Sequence, residues 1–254
     1  PIPPVLKVFT VSTQNIEDMV SYMRNLGNYE ICDDLTAVSW WLAQVPIPSP
    51  YIPKPDNAPE WFCFGTTFSW TEKEKEAREE MWQMTLEEEQ KKGTSIKYAE
   101  YPEEALKART QLPSQIVGST KNYTKMAGGG ISWPGTFTPV NKWAPVYNEW
   151  KKILIDHNLS PSVRATNYRG VHYGMLRAMI PFNKKSPEAT ENARQAIVEC
   201  LKVDLDAGGI PYKPPVDFAA EINKRAHPGY LSLLRQVKKL LDPNDIMNSG
   251  KLGI

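Results

Sequence analysis

Close to its last residue the chain carries Leu240-Leu-Asp-Pro-Asn-Asp-Ile-Met-Asn-Ser-Gly-Lys251, and the fold assignment depends on this stretch. The apolar and basic residues 230–241 lead into it and predict a helix. Pro243 cannot continue that helix, and it also disfavours the helical conformation for Asp242. Turn-forming residues and a glycine follow. A generic helix end explains the proline and the glycine, but it does not explain the whole string.

Length and composition indicate an ordinary globular protein. The 254 residues are 41% hydrophobic, which is enough for a proper core. The net charge of +1 gives no electrostatic case for nucleic acid or an anionic membrane. No stretch approaches the roughly 20 apolar residues of a membrane span, and Pro1-Ile-Pro-Pro4 does not resemble a signal peptide. We therefore expect a cytoplasmic protein without a nucleic-acid partner or a membrane span.

The cysteines, histidines and glycines form no metal, disulfide or phosphate motif. The three cysteines are isolated and are interpreted as buried small hydrophobic residues. The three histidines lack metal-ligand spacing. Gly128-Gly-Gly130 lacks the Lys-Ser/Thr of a phosphate loop. It is interpreted as a turn, with close approach of the backbone to a ligand as the alternative.

Each half of the chain alternates strand and helix patterns. In the first half we predict strands at 5–12, 61–70 and 94–99, a mixed segment at 29–41, and helices at 16–26 and 72–92. In the second half we predict a long functional or mobile loop at 111–139, strands at 162–168 and 172–182, an extended segment at 210–213, and helices at 102–109, 143–157, 186–205, 216–225 and 230–241. This alternation predicts an α+β fold, in which ferredoxin-like halves form one antiparallel sheet with helices packed against it.

The terminal string resembles the C-terminal signature of FAD-linked oxidases of the vanillyl-alcohol oxidase and p-cresol methylhydroxylase family. There a helix ends in Leu-Asp-Pro-Asn-x-Ile-x-x-Pro-Gly-Lys/Arg. The matching residues are Asp242, Pro243, Asn244, Ile246, Gly250 and Lys251, whereas Ser249 replaces the usual proline. Trp61-Phe-Cys-Phe-Gly65 is similar to the family's aromatic-x-Phe-Tyr-Gly strand. Phe137-Thr-Pro-Val140, a helix, Arg169 and His172 follow one another in the family's order.

The resemblance implies a domain organisation and partners. Residues 1–229 correspond to the cap or substrate domain, and residues 230–254 to a C-terminal helix and tail that pack toward an FAD-binding domain. We find no FAD-binding domain in this sequence, so the resemblance implies one on a separate or cleaved chain. It also implies FAD as the cofactor, an aromatic small-molecule substrate and an oligomeric protein.

Tyr212-Lys213 lies at about the distance from the terminal signature at which phenol-oxidising members of the family carry a Tyr-Arg pair. By resemblance, Tyr212 holds the substrate phenolate and Lys213 balances negative charge on the reduced flavin. Lysine supplies a point charge instead of a planar fork. A solvated turn between two helices is the alternative.

Strand periodicity places Arg169, Tyr173 and Arg177 on one face and His172 on the other. A structural histidine on a sheet is the alternative to a functional His172. The resemblance implies the catalytic residues Tyr212, Lys213 and His172, the substrate-binding residues Arg169, Tyr173 and Arg177, and the cofactor-binding residues Lys213, Asn248 and Lys251.

The activity that the resemblance implies is an FAD-dependent oxidation of a para-substituted phenol or benzylic alcohol by hydride transfer to flavin. The content of aromatic residues suits a flat substrate. A 2-hydroxy-acid oxidoreductase of the lactate or glycolate type, with arginine holding a carboxylate, is one alternative. A non-catalytic assembly module that keeps the cap fold is the other.

Overall fold

The computed structural model describes residues 5–44, 47–100, 128–167 and 172–250. The first half consists of β1 (Val5–Thr13), α1 (Ile16–Asn28), β2 (Asp34–Ser39), α2 (Trp40–Ala43), β3 (Trp61–Ser69), α3 (Glu72–Lys91) and β4 (Lys97–Tyr98). The second half consists of β5 (Gly130–Ser132), β6 (Gly135–Pro139), α4 (Trp143–Asp156), β7 (Val163–Asn167), β8 (Tyr173–Ala178), β9 (Ile180–Phe182), α5 (Pro187–Asp206) and β10 (Ile210–Pro211). Helices α6 (Ala219–Arg225) and α7 (Pro228–Leu241) follow.

Eight of the described strands form one large antiparallel sheet in the order β10-β6-β8-β7-β2-β3-β1-β4. Each half contributes four strands with the spatial order fourth, first, third, second, which is the ferredoxin-like arrangement. The halves meet where β2 pairs with β7, with Ala37 opposite Ala165. The predicted α+β fold with an antiparallel sheet and packed helices is therefore confirmed.

The main core lies between the helices and one face of this sheet, which we call the helix face. Strand residues such as Phe9, Ala165 and Leu176 meet buried side chains of the helices there, including Trp150 of α4. Because strand side chains alternate between faces, Met175 and Arg177 belong to the opposite face. That opposite face carries the candidate site.

Local side-chain caps fix the starts of three helices. The side chains of Asn15, Thr71 and Ser186 each accept a hydrogen bond from a backbone N–H in the first turn of α1, α3 and α5. The left-handed Gly208, with φ of 85°, follows α5. Helix α5 therefore ends just before the chain enters β10.

The long loop predicted at 111–139 is wrong for its last part. Residues 130–132 form β5, and residues 135–139 form β6 in the middle of the second half-sheet. Gly135 and Pro139 weaken the strand pattern of β6, but they stand at its two ends, where a strand tolerates them. Residues 101–127, with the predicted helix at 102–109, lie outside the described residues.

The strand predicted at 172–182 is divided in two. Strand β8 belongs to the large sheet, whereas β9 pairs with β5 in a separate two-stranded sheet. Met179 stands between them, and its N–H donates to the carbonyl oxygen of Ser162. This division brings the β5 segment to the end of β8 at which Arg177 lies.

Candidate active site

A cavity of about 850 Å³ lies between the end of the second half-sheet and the C-terminal helix. One wall includes Trp133, Tyr212 and Lys213, and the other includes Leu234, Val237 and Leu241 of α7. The three residues of α7 recur at helical spacing, so that one face of the helix lines the cavity. Its volume and its mainly apolar lining are typical of small-molecule sites.

The backbone of β6 determines the position of Tyr212. Strand β10 pairs with β6, and the N–H of Tyr212 donates to the carbonyl oxygen of Gly135 over 3.3 Å. A Cβ atom on Gly135 would lie 2.5 Å from Cε1 of Tyr212, so only glycine leaves room for the ring. The ring centroid of Phe137 lies 5.5 Å from that of Tyr212. The phenol ring is therefore held over strand β6.

Arg177 connects this ring to β8 and to the wall of the cavity. Its Nη1 atom donates a hydrogen bond of 3.1 Å to the Oη atom of Tyr212. Its guanidinium carbon lies 5.9 Å from the ring centroid of Trp133, which is within cation–π range. The Nε–H group of Arg177 is buried and has no acceptor among the described residues. The structure thus leaves one charged donor of Arg177 unused by these residues.

Lys213 adds a second cation beside Tyr212. Its ammonium group lies 5.9 Å from the ring centroid of Tyr212, and the residue is exposed. Within the described ranges no carboxylate forms an ion pair with Lys213 or Arg177. The local potential at this side of the cavity is therefore positive, which favours an anionic or acceptor group.

The tail after α7 folds back and completes the cavity. The Asp242 carboxylate accepts hydrogen bonds of 2.9 Å from the N–H groups of both Ile246 and Met247, and it pairs with Lys238. These interactions, with Lys238 as the largest cause, lower the pKa of Asp242. Asn248 lines the cavity with φ of 53°, a left-handed conformation that asparagine tolerates. The signature carboxylate Asp242 thus holds the turn that presents Asn248.

The structure brings together four of the predicted site residues. Tyr212, Lys213 and Asn248 line the cavity, and Arg177 contacts Tyr212. The roles assigned to them stay predictions.

His172 and Tyr173 lie elsewhere. Tyr173 pairs with Pro139 at the other end of β8, about 13 Å along the strand from Arg177. His172 is exposed, and its carbonyl oxygen accepts from the N–H of Val140. The predicted residues Arg169 and Lys251 lie outside the described residues.

Sequence reasoning missed Trp133. This residue stands between β5 and β6, in the segment predicted as a loop. The available signal was an isolated tryptophan next to Pro134, in a short segment with a glycine at each end. In the described ranges no group of three or more metal-ligating side chains occurs.

Residues 51–252 match the sequence model of the FAD-linked oxidases, C-terminal domain. This chain belongs to that family. No curated protein sequence is significantly similar to this FAD-linked oxidase domain. No described helix is long and apolar enough to cross a membrane.

Solved structures support the fold of this domain. p-Cresol methylhydroxylase with substrate bound has a TM-score of 0.76 at 17% identity, and 4-ethylphenol oxidase from Gulosibacter chungangensis in its isoeugenol complex has 0.75 at 16%. The similarity covers 100% of this chain but 54% and 55% of those chains, so the domain spans about half their length. Alkyldihydroxyacetonephosphate synthase is more distant, with a TM-score of 0.58 at 11% identity over 99% of this chain and 46% of that one.

FAD is the cofactor of this family. The residues at the cavity fit a flat ring system that carries negative charge. Trp133 and Tyr212 offer aromatic walls and Lys213 offers a cation, while Arg177 adds positive charge behind Tyr212.

Proposed function

We propose that this domain is the substrate-side, or cap, portion of an FAD-dependent oxidoreductase that oxidises a para-substituted phenol or benzylic alcohol. The hydrogen bond from Arg177 to Tyr212 beside a mainly apolar cavity carries this proposal. It provides an O–H donor backed by positive charge, which is what a phenolate oxygen requires. The names of two relatives with the same fold, p-cresol methylhydroxylase and 4-ethylphenol oxidase, agree with a phenol as the substrate.

Each residue has a separate task in this proposal. Tyr212 donates its O–H to the substrate oxygen, and the rings of Trp133 and Tyr212 hold a flat substrate. When bound, FAD supplies the acceptor for the hydride that leaves the benzylic carbon. Lys213 keeps positive charge beside the cofactor, and its exposure in this chain suits a contact with a bound group. The apolar residues of α7 limit the access of water to the cavity.

An FAD-binding domain covers the outer face of α7 in this proposal. Leu233 and Leu240 lie on this face and are 59% and 80% exposed, and the helix has no buried residue. Such an apolar face is typical of an interaction surface. The domain spans about half of its solved relatives, which agrees with a further domain on the same or another chain.

The test is the rate of flavin reduction by substrate, measured anaerobically in a single turnover with the protein that carries this domain. A para-alkylphenol and a 2-hydroxy acid are compared. We expect reduction by the phenol, and Lys213→Met should slow it about 100-fold, since electrostatic stabilisation of this kind is typically worth that much. Lys202→Met on α5 removes a charge from the helix side of the sheet and serves as the control.

Other outcomes separate the alternatives. Reduction by the hydroxy acid alone would favour a lactate-type or glycolate-type oxidoreductase. Failure of both substrates to reduce bound flavin would favour the non-catalytic assembly module. An unchanged rate in Lys213→Met would remove Lys213 from the site.

A further inference from the structure

We infer that Arg177 is a positioning residue that sets the direction of the Tyr212 hydroxyl proton and thereby selects a hydrogen-bond acceptor as the ligand group. This inference rests on the proposed function and names the interaction that makes the site specific for a phenol oxygen. Arg177 does not have to touch the substrate in this role, because it acts through the phenol oxygen of Tyr212.

The argument begins with the hydrogen-bonding capacity of the two groups. A guanidinium only donates, whereas a phenol oxygen donates one hydrogen bond and accepts others. Nη1 of Arg177 donates to Oη of Tyr212 over 3.1 Å, so this contact uses a lone pair and leaves the hydroxyl proton available. No described residue accepts that proton, and Tyr212 lines the cavity. The proton is therefore directed toward a ligand.

Tyr147 shows the opposite arrangement in the same chain. Its hydroxyl donates a hydrogen bond of 2.8 Å to the Oε1 atom of Glu60 in the core. The proton of Tyr147 is thus consumed inside the protein. If Tyr212 had a carboxylate partner, it would present a lone pair to the cavity and favour a donor ligand. The arginine at position 177 reverses that polarity.

The fold holds Arg177 in place for this task. Arg177 lies directly opposite Gly135 in the pairing of β8 with β6, and the ring of Tyr212 packs over that glycine. The ring centroid of Trp133 also lies 5.9 Å from the guanidinium carbon of Arg177. The positive charge also favours a ligand oxygen with negative charge, since charge-assisted hydrogen bonds are the stronger ones.

The experiment compares two ligands of nearly equal shape with the flavin-loaded protein. One is a para-alkylphenol without a benzylic C–H bond, such as 4-tert-butylphenol, whose oxygen accepts well and which cannot reduce the flavin, and the other is the matching para-alkylaniline, whose nitrogen accepts poorly. The measured quantity is the ratio of their dissociation constants, read from the perturbation of the flavin absorbance. The variants are Arg177→Met, Arg177→Lys, Tyr212→Phe and the double variant Arg177→Met/Tyr212→Phe.

In the wild type we expect a strong preference for the phenol. Arg177→Met should lower the preference about 10-fold or more, because hydrogen bonds to charged groups are typically worth that much. Arg177→Lys should restore part of it, since lysine keeps one charged donor. In the Tyr212→Phe background, Arg177→Met should have almost no further effect, because the two residues act as one unit.

Other results would overturn the inference. An unchanged preference in Arg177→Met, or an equal loss with and without Tyr212, would assign Arg177 a merely structural role. If Arg177→Met does not fold, Arg177→Lys is measured alone and together with Tyr212→Phe, and a preference for the phenol equal to that of the wild type in both proteins would contradict the inference. A wild type that binds neither ligand would contradict the proposed function itself. If the wild type prefers the phenol and the substitutions at Arg177 leave that preference unchanged, only the role of Arg177 is contradicted.

Discussion

Thr138 donates a hydrogen bond of 3.0 Å from Oγ1 to the Oδ1 atom of Asp204, joining β6 to α5 inside the core. Asp204 is fully buried, and its Oδ2 atom has no partner among the described residues. Burial raises the pKa of Asp204 to about 7, although hydrogen bonds from Thr136 and Thr138 lower it in part. The carbonyl oxygen of Asp204 also accepts from the N–H of Gly209, just before β10. This buried carboxyl group therefore lies at the base of the segment that carries Tyr212.

The raised pKa of Asp204 predicts that stability falls as pH rises. Between the ordinary pKa of 3.8 and the native value of about 7, the native state keeps a proton on Asp204 that the unfolded state loses. The native state therefore becomes less stable relative to the unfolded state as the pH rises through this window. In this window the free energy of unfolding should fall by up to about 1.4 kcal/mol per pH unit from this group. Urea unfolding at several pH values measures the slope.

Asp204→Asn is the matched variant for this prediction. Asparagine keeps an acceptor for Thr138 but cannot ionise. Its stability relative to the wild type should therefore increase with pH and be greatest above about pH 7. A difference between the two proteins that is independent of pH would show that Asp204 does not titrate as stated.

Two glycines of the second half-sheet should respond differently to alanine. A Cβ atom at Gly135 would meet the Tyr212 ring at 2.5 Å, whereas one at Gly174 would meet Trp143 in the core at 2.3 Å. Gly135→Ala should therefore weaken phenol binding about 10-fold with a small change in stability. Displacement of the Tyr212 hydroxyl costs on the order of 1.4 kcal/mol of binding free energy. Gly174→Ala should lower the free energy of unfolding by about 1–3 kcal/mol through overpacking.

Phenol titration and urea unfolding of both glycine variants test this division. Each variant serves as the control for the other, because both add one methyl group to the same half-sheet. Phenol affinity that is unaffected in Gly135→Ala would contradict the position given to Tyr212.

The Asp242 carboxylate should control the order of the tail. Asp242→Asn removes the charge that faces Lys238 and the two backbone N–H groups, so amide exchange of Ile246 and Met247 should accelerate about 10-fold. Because the pKa of Asp242 is lowered, the wild-type tail should lose the same protection as the pH falls below about 4. Hydrogen exchange resolved by residue measures both effects.

Asp245→Asn is the control for the tail. Asp245 also pairs with Lys238, at 2.9 Å, but it is exposed, and its left-handed φ of 51° suits asparagine equally well. This variant should leave the exchange of Ile246 and Met247 nearly unchanged. Equal acceleration in both variants would assign the effect to Lys238 instead of the hydrogen bonds of Asp242.

The exposed face of α7 should be needed for the retention of FAD. Burying one leucine side chain is worth about 1.5–3 kcal/mol, so Leu240→Ser should weaken association with an FAD-binding domain at least 10-fold. Arg235→Ser alters the opposite side of the helix and should have little effect. The flavin content after gel filtration measures the difference, and equal retention in the two variants would reject α7 as the contact.

Local signals made most of the fold predictable. The helix caps at Thr71 and Ser186 involve residues within a few positions of each other, and so does the periodicity of the two helices. Short-range interactions of this kind can be predicted from sequence patterns. The pairing of β2 with β7 joins residues about 130 positions apart, such as Thr36 and Thr166, and no local pattern encodes it. Strand β6 escaped prediction because only its three central residues look like a strand.

The candidate site was partly predictable for a similar reason. The terminal signature and Tyr212-Lys213 are short motifs, and the cavity does contain that pair. The contact of Arg177 with Tyr212 spans 35 positions, and it depends on the absence of a side chain at Gly135. The burial of Asp204 was hidden as well, since one aspartate in a charged helix resembles a solvated residue. Tertiary packing alone determines these relationships.

The most direct test of the proposed function is the absorbance spectrum of the protein, isolated under native conditions with every chain that accompanies it, before and after anaerobic addition of a para-alkylphenol. We expect flavin bands that bleach with the phenol in the wild type and bleach far more slowly in Tyr212→Phe. A protein that holds no flavin and cannot be reconstituted with FAD, or a bound flavin that no phenol reduces, would contradict the proposed function.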